Sequence, residues 1–561
     1  MDPNTSPPDG APDGSASNDD APEDVISEAI DASDPEPASG EVQERETLAP
    51  GARVTATLER PAALGRSVAH HGGMTLLVGR GLPGESVEVE IGKVHPNFAL
   101  GRAVRVETGA VERVVPPCPH YEVCGGCDWQ HAAYPAQLEM KKLVLSDQFE
   151  RIGRMDPPLF EIERAPEPLG YRDRLDFIPV AGEGRWQPGF HGPDGSPPVA
   201  VSHCRLAPES LTRLAAEVLA TLQNHGILPS PDAPGRTGLS LTRMIVQGTA
   251  PRPIPRSAET EGPPPEAIPP DANRPDATPP PEAPPEPESE PGPGLSLVLT
   301  LKSARGEKPR TLRRRYVEAL RAVLPDLQAA FPALIHLALK VIPGGGKEAP
   351  SFERLLGSEW LPKRVGDIAY LAPPGGFFQV HPALTGRLVS EVVEAVRAWV
   401  KDSSPPPGMP VFDLFGGSGL FALPLAGVFR EEGKRRVVCA DSESAALRAG
   451  DGAAKAARLG DLRFERLDLE RAGALEALIK AHGMPGAVVC DPPRRGLPGP
   501  LVAALKNAPV SMLIYVSCDG GTLARDAARL APDYTLTRMR AFDLFPQTHH
   551  LESVAVFQRQ G

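Results

Sequence analysis

Cys518 stands in YVSCDGG, residues 515–521, directly after an apolar run and directly before two glycines. A cysteine there is either core packing or a nucleophile held at the rim of a sheet. A thiol acts as a nucleophile through its thiolate, which needs a polar, partly exposed setting. A position between a strand and a Gly-Gly turn meets that need. Asp491 in CDPPRRG (490–496) ends another apolar run and is stiffened by two prolines. Glu552 in LFPQTHHLESVAVF (544–557) opens a last strand, within reach of general-base work. His549 and His550 point different ways on an extended chain and line a pocket at most. Cys439 and Cys490 sit inside apolar runs and read as core.

A second group of residues suits a cofactor. VFDLFGGSG (411–419) closes a strand with an acid and continues with three glycines, including Gly417. The spacing is neither G-x-G-x-x-G nor a phosphate-binding P-loop. It suits S-adenosylmethionine, whose sulfonium and amino-acid part need no phosphate cradle. Asp441 in VVCADSES sits where a carboxylate accepts from ribose hydroxyls, and Asp468 in RFERLDLE is placed for the adenine edge.

Four cysteines form a third group. CPHYEVCGGCDWQH spaces Cys118, Cys124 and Cys127 closely, and Cys204 follows in SHCRLAPES. Three close thiols with a distant fourth suit a four-thiolate site, either an iron–sulfur cluster or tetrahedral zinc. The second C-x-x-C knuckle common in zinc sites is missing. The five-residue gap does not fit the C-x3-C-x2-C of radical S-adenosylmethionine enzymes.

These residues need elements to hold them. RVTATLER, MTLLVGR, ESVEVEIGKVH and ALGRAVRVET alternate apolar and polar residues between Gly and Pro, which predicts a small OB-like β module over 48–112. From 371 the pattern changes to repeated strand–turn–helix units, predicting a parallel sheet with helices on both faces. In such sheets ligands bind beyond the C-terminal strand ends, where the candidates lie. Residues 113–370 then form a central α+β domain. Within it, 251–294 carries 17 prolines in 44 positions and reads as a solvated insertion. Its flanks, GLSLTRMIVQG and GLSLVLTLKS, alternate like paired strands, so an overgrown hairpin loop is preferred to an interdomain linker.

Composition limits the partners. Residues 1–47 hold 14 acidic residues and one arginine, and so carry the whole of the formal charge of −13. They have too few large apolar residues to order and read as a disordered tail. The body is neutral overall, which leaves room for nucleic acid. No apolar run is long enough to span a membrane. The acidic N-terminus lacks a signal pattern, and the clustered thiols suit a reducing compartment, so the cytoplasm is expected.

The strings DLFGGSG, CDPPRRG, YVSCDGG and HLES together resemble the RNA (uracil-5-)-methyltransferase family, over about 48–561 apart from the insertion. The resemblance implies a Rossmann-like class I methyltransferase domain at 371–561. It makes Cys518 the nucleophile and Glu552 the base. It implies that Gln379 in FFQV (377–380), Phe415, Gly417, Asp441, Asp468 and Asp491 contact S-adenosyl-L-methionine. It implies a [4Fe–4S] cluster on Cys118, Cys124, Cys127 and Cys204, and a TRAM domain at HHGGMTLLVGRGLPGESVEVEIGKV (70–94). Both features point to RNA of the 23S rRNA type, with tRNA the alternative. A monomer without a DNA partner is expected. Departures fall in the cofactor loop: Gly416-Gly417-Ser418-Gly419-Leu420, Asp441 for a commoner Glu, and His381 for a usual Asn. Two other classes compete. An exocyclic-amino methyltransferase would carry an aromatic after the prolines, where Arg494 stands. A non-catalytic RNA-binding iron–sulfur protein would need neither Cys518 nor Glu552.

Overall fold

The computed structural model describes residues 48–231, 241–248, 294–303, 308–344, 350–432 and 435–560. The tail (1–47) and all of the proline-rich insertion but Gly294 lie outside the described residues.

The first sheet holds β1 (Arg53–Thr57), β2 (Arg60–Ala62), β3 (Arg66–His71), β4 (Met74–Gly79), β5 (Ser86–Val94) and β6 (Phe98–Thr108), in the order β1-β5-β6-β4-β3-β2. Val87, Val89 and Ile91 of β5 point into one core with Leu76, Val78 and Ala99. Arg53 faces Glu90 in register, with an ion pair of 2.9 Å. β2 and β3 were not legible as strands. RSVAHH has weak alternation, and its extended form follows from pairing with β4, Arg66 opposite Gly79 through His71 opposite Met74.

The next elements join a different part of the molecule. α1 (Tyr134–Arg151) and β7 (Ile162–Glu163) fall within the stretch read from sequence as central domain, yet both pack on the C-terminal sheet. The cause is an apolar side of α1: Leu145 and Phe149 share a core with Leu523, Ala524 and Ala527.

The central sheet comprises β8 (Arg174–Ala181), β9 (Trp186–Phe190), β10 (Val199–Ala200), β11 (Leu241–Gly248), β12 (Leu295–Lys302), β13 (Leu334–Ile342) and β14 (Ser351–Leu356). Its order is β10-β9-β8-β11-β12-β13-β14. β11 and β12 pair antiparallel with Gly248 opposite Leu295, so the two flanks of the insertion are hairpin partners. α2 (Glu209–Asn224) and α3 (Pro309–Ala330) cover one face, burying Leu214, Val218, Leu320 and Val323 against Leu297, Leu299 and Leu337. A hairpin, β15 (Leu361–Val365) and β16 (Ile368–Ala372), leads onward.

The C-terminal sheet follows α4 (Pro382–Ser403). Its elements are β17 (Val411–Leu414), α5 (Ala422–Glu432), β18 (Val437–Asp441), α6 (Ser444–Ala456), β19 (Leu462–Arg466), α7 (Ala474–His482), β20 (Ala487–Cys490), α8 (Gly499–Asn507), β21 (Met512–Ser517), α9 (Gly520–Leu530), β22 (Tyr534–Phe542) and β23 (Glu552–Arg559). Strand order is β19-β18-β17-β20-β21-β23-β22-β7. The five strands from β19 to β21 are parallel, and the apolar runs of β18, β17, β20 and β21 are buried on both faces, as a helix-covered sheet requires. β23 inserts antiparallel between β21 and β22. That departs from the all-parallel expectation, and it has a direct consequence for the site. Strand order reverses between β17 and β20, which opens the binding crevice there.

Candidate active site

Register places Cys518 and Glu552. β21 and β23 run antiparallel with Ser517 opposite Ser553. Continued one step past the strand, that register brings Cys518 to Glu552, and the two groups interact electrostatically. Residues 34 apart in sequence are thus neighbours because the last strand turns back beside β21. α9 begins immediately after Cys518. Asp519 is its N-cap, its Oδ1 accepting from the Thr522 N–H at 2.8 Å. The positive end of a helix therefore lies next to the thiol, where it favours thiolate. The two glycines serve packing rather than a turn. A side chain at Gly520 would stand 2.3 Å from Gln148 Oε1 and 2.5 Å from Leu145 Cδ1 of α1.

The electrostatics of this edge are those of crowded acids. Burial pushes the Asp491 carboxyl up to about 7, and Asp441 adds to the shift. Glu552 is 1% exposed, and its Oε1 has no hydrogen-bond partner among the described residues. Burial, then Asp491, holds its carboxyl well above the usual range, while Arg494 opposes the shift. Burial also pushes the Cys518 thiol up, with Glu552 and Asp491 adding and Arg494 opposing. Arg494 is thus the cation that both reactive groups share, and its Nη2 lies 3.3 Å from His550 Nε2. Cys439 and Cys490 are fully buried.

The cofactor candidates fall along the same edge. Leu414 aligns with Ala440 on one side and Cys490 on the other, so the loops after β17, β18 and β20 leave together. Phe415 and Gly417 both adopt positive φ, +61° and +52°. At Gly417 that conformation turns its N–H onto Asp441 Oδ2 at 3.0 Å. Asp468 lies past β19 and accepts from Glu470 N and Arg471 Nε at 3.1 and 3.0 Å. Gln379 is buried with its Oε1 unpartnered among the described residues. The acid that closes the strand in VFDLFGGSG was not among the expected cofactor contacts. Asp413 is fully buried, accepts from Ala422 N at 2.9 Å, and is held far above the ordinary carboxylate range by burial and by Asp491 and Asp441.

The fold also carries Cys204 to the other cysteines. Cys204 interacts electrostatically with Cys118 and Cys124, and Cys127 with Cys204 and Cys124. His120 Nε2 lies 2.9 Å from Ser202 Oγ, tying the two loops. All four thiols are free and partly buried. Gly126 N donates to Cys124 Sγ at 3.4 Å, and Gln130 Nε2 to Cys127 Sγ at 3.1 Å. Among the described residues, no group of three or more His, Cys, Asp or Glu side chains converges as a site for a single metal ion.

The segment before Glu552 supplies residues that sequence reasoning missed. Lys141 and Asp543 form an ion pair of 2.5 Å in which both side chains are fully buried. Lys141 Nζ also donates to the carbonyls of Phe545 and His550, at 3.1 and 2.7 Å. Nothing in EMKKLV marks the first lysine as buried, since burial follows from where α1 docks. Lys141→Met is expected to destabilise the protein by about 3–5 kcal/mol, because it strands a buried carboxylate. Adding Asp543→Leu should restore most of the loss. Thermal melts of the single and double variants check this, and a single variant as stable as wild type would contradict it.

Comparison with known proteins agrees with this geometry. Residues 362–560 match the family model described as tRNA (uracil-5-)-methyltransferase. The chain is 26% identical over 513 residues to an uncharacterized RNA methyltransferase of Enterococcus faecalis, covering 91% of this chain and 98% of that one. It is 28% identical over 535 residues to another from Corynebacterium efficiens, covering 92% and 96%. A solved structure, the Pyrococcus abyssi tRNA (uracil-54, C5)-methyltransferase in complex with S-adenosyl-L-homocysteine, superposes with a TM-score of 0.58 at 20% identity. That superposition covers 90% of this chain and 100% of the other, and it shows a shared fold. With the strand order and switch point above, the C-terminal sheet is a class I methyltransferase fold, and residues 362–560 resemble the tRNA (uracil-5-)-methyltransferase family.

Proposed function

We propose that this enzyme methylates C5 of uridine in RNA, with Cys518 as nucleophile and Glu552 as base. The observation that carries the reading is the β21–β23 register, which faces a thiol with a buried carboxyl at the crevice edge. Uracil C5 is a weak nucleophile. Addition of the Cys518 thiolate to C6 moves the electron pair of the C5–C6 bond to C5 and O4. C5 then takes a methyl group, so that it carries both methyl and hydrogen. Glu552 removes that hydrogen as a proton, the C5–C6 double bond re-forms, and the Cys518–C6 bond breaks. Arg494 steadies the negative charge that both reactive groups acquire in turn. The uridine must leave its stack to reach these groups.

S-adenosyl-L-methionine supplies the electrophilic methyl as a sulfonium. The residues fit it: Asp413, Asp441 and Asp491 crowd negative charge at the switch point, and a cationic ligand relieves that crowding. Gln379, Phe415, Gly417, Asp441, Asp468 and Asp491 are the residues we assign to its binding. Tritium release from 5-tritiated uridine in RNA tests the reaction, since only substitution at C5 frees that label. Methyl transfer without tritium release would move the reaction to another atom.

Cys118, Cys124, Cys127 and Cys204 would hold a [4Fe–4S] cluster. N–H groups aimed at Cys124 and Cys127 sulfur suit thiolate ligands. A cubane binds each cysteine to a different iron, so its ligands need not converge on one point. Anaerobically purified protein is expected to be brown with about four iron per chain. Replacing any one of the four cysteines should bleach it. Stoichiometric zinc without iron would decide for the single-ion alternative.

We assign the six-stranded N-terminal sheet to an RNA-binding OB-like TRAM module over 48–112. Together with the four-cysteine loop it favours 23S rRNA as substrate. The family model's name favours tRNA as the second reading. Methylation of 23S rRNA and tRNA transcripts side by side distinguishes them.

A further inference from the structure

Glu552 is delivered by the segment Asp543–Leu551 between β22 and β23, which is held from outside as well as by its own turn. Gln547 adopts φ +71°, a left-handed conformation unfavourable for a non-glycine residue. Its surroundings impose it. The backbone N–H groups of Asp128 and Trp129 both donate to the Gln547 carbonyl, each at 3.0 Å. Gln137 Nε2 donates to Gln547 Oε1 at 3.0 Å, and Gln547 N donates to Gln137 Oε1 at 2.9 Å. Two residues on, Asp128 Oδ2 accepts from both the His549 N–H, at 3.0 Å, and the His549 ring Nδ1, at 2.8 Å. Asp128 is itself wedged from the far side. A side chain at Gly65 would stand 2.5 Å from Asp128 Cβ, and Trp129 Nε1 donates to the Gly65 carbonyl at 3.1 Å.

The chain holding the base segment is thus the same loop that carries Cys118, Cys124 and Cys127. We infer that Asp128, through its two hydrogen bonds to His549, is a positioning residue that sets the Glu552 carboxyl for removal of the C5 proton. The inference rests on the reading of Cys518 as nucleophile and Glu552 as base. Asp128 reaches neither reactive group. It fixes the backbone at the bend three residues before Glu552, where β23 begins. Cys518 is anchored separately by β21 and the α9 cap, so loosening Asp128 leaves thiol addition and methyl transfer in place.

The test uses the full-length enzyme with Asp128→Ala, His549→Ala and the double variant. On uridine RNA, kcat is expected to fall about tenfold with KM for RNA within about twofold, the size of effect a displaced catalytic group produces. Denaturant-resistant protein–RNA adduct should accumulate at steady state. On RNA containing 5-fluorouridine, trapping should keep the wild-type rate, because a C5 fluorine cannot be removed as a proton and the trapped adduct forms before the base acts. The double variant should be no worse than the poorer single one, as for two partners of one interaction. Trapping that falls in step with turnover, or multiplicative losses in the double variant, would overturn the assignment. If Asp128→Ala does not fold, His549→Ala removes the ring half of the same contact, keeps the backbone half, and leaves the cysteine loop untouched. Failure of the underlying reading looks different: wild-type enzyme would then not trap on 5-fluorouridine RNA at all.

Discussion

Cys518→Ala folds, binds S-adenosylmethionine and transfers no methyl group. The expected loss of turnover is roughly 10⁴-fold or more, because no other group at the crevice edge can add to C6. Cys439 and Cys490 are sealed in the core and cannot substitute. The fold should tolerate the change. Cys518 is only partly buried and follows β21 rather than packing within it, and the Asp519 cap that starts α9 does not involve its sulfur. The measurements are tritium release from 5-tritiated uridine in RNA, equilibrium binding of S-adenosylmethionine, and a thermal melt. Turnover above a few per cent of wild type, with folding intact, would remove Cys518 from the nucleophile's place.

Glu552→Gln separates two halves of the reaction. Addition and methyl transfer proceed, then the 5-methyl adduct persists, because an amide cannot take the C5 proton. A denaturing gel should show protein–RNA adduct at close to one per enzyme, with product formation down by about 10²–10⁴-fold, the usual share of a general base. Normal product formation without adduct would refute the assignment. The same variant makes a stability claim. A carboxyl held above its unfolded value binds its proton more tightly in the folded protein. The folded state therefore loses stability as pH rises from the ordinary carboxylate range of about 4 toward the raised value. Both Glu552 and Asp491 are shifted this way, Asp491 up to about 7. Glutamine has the same shape and no charge to bury. Melts at pH 7 should place Glu552→Gln at or above wild type, as expected where stability is given up for activity. At about pH 3 or below, where the carboxyl is protonated in both states, the difference should vanish.

The candidate residues stood out as strings because the proposed chemistry restricts residue type sharply. A thiol after an apolar run, a carboxyl at a strand start and acids after successive strands are local patterns. So are the alternating runs that became β1, β5, β6, β11 and β12, and the strand–turn–helix units around β17, β18, β20 and β21. Each depends on neighbours a few residues away, and the chain carries that information linearly. What pairs with what depends on contacts far apart in sequence. β23 lies antiparallel between β21 and β22, and that insertion sets Glu552 across from Cys518. Cys204 meets the other three cysteines through the central domain. α1 packs on α9 through the space left by Gly520, although sequence position groups it with the central domain. Lys141 and Asp543 acquire meaning only when that docking removes both from water. Hydrophobic periodicity fixes which face of an element is buried but not the element it is buried against. That choice is made by the joint packing of the whole chain, and the base, the buried ion pair and the Asp128 contact all follow from it.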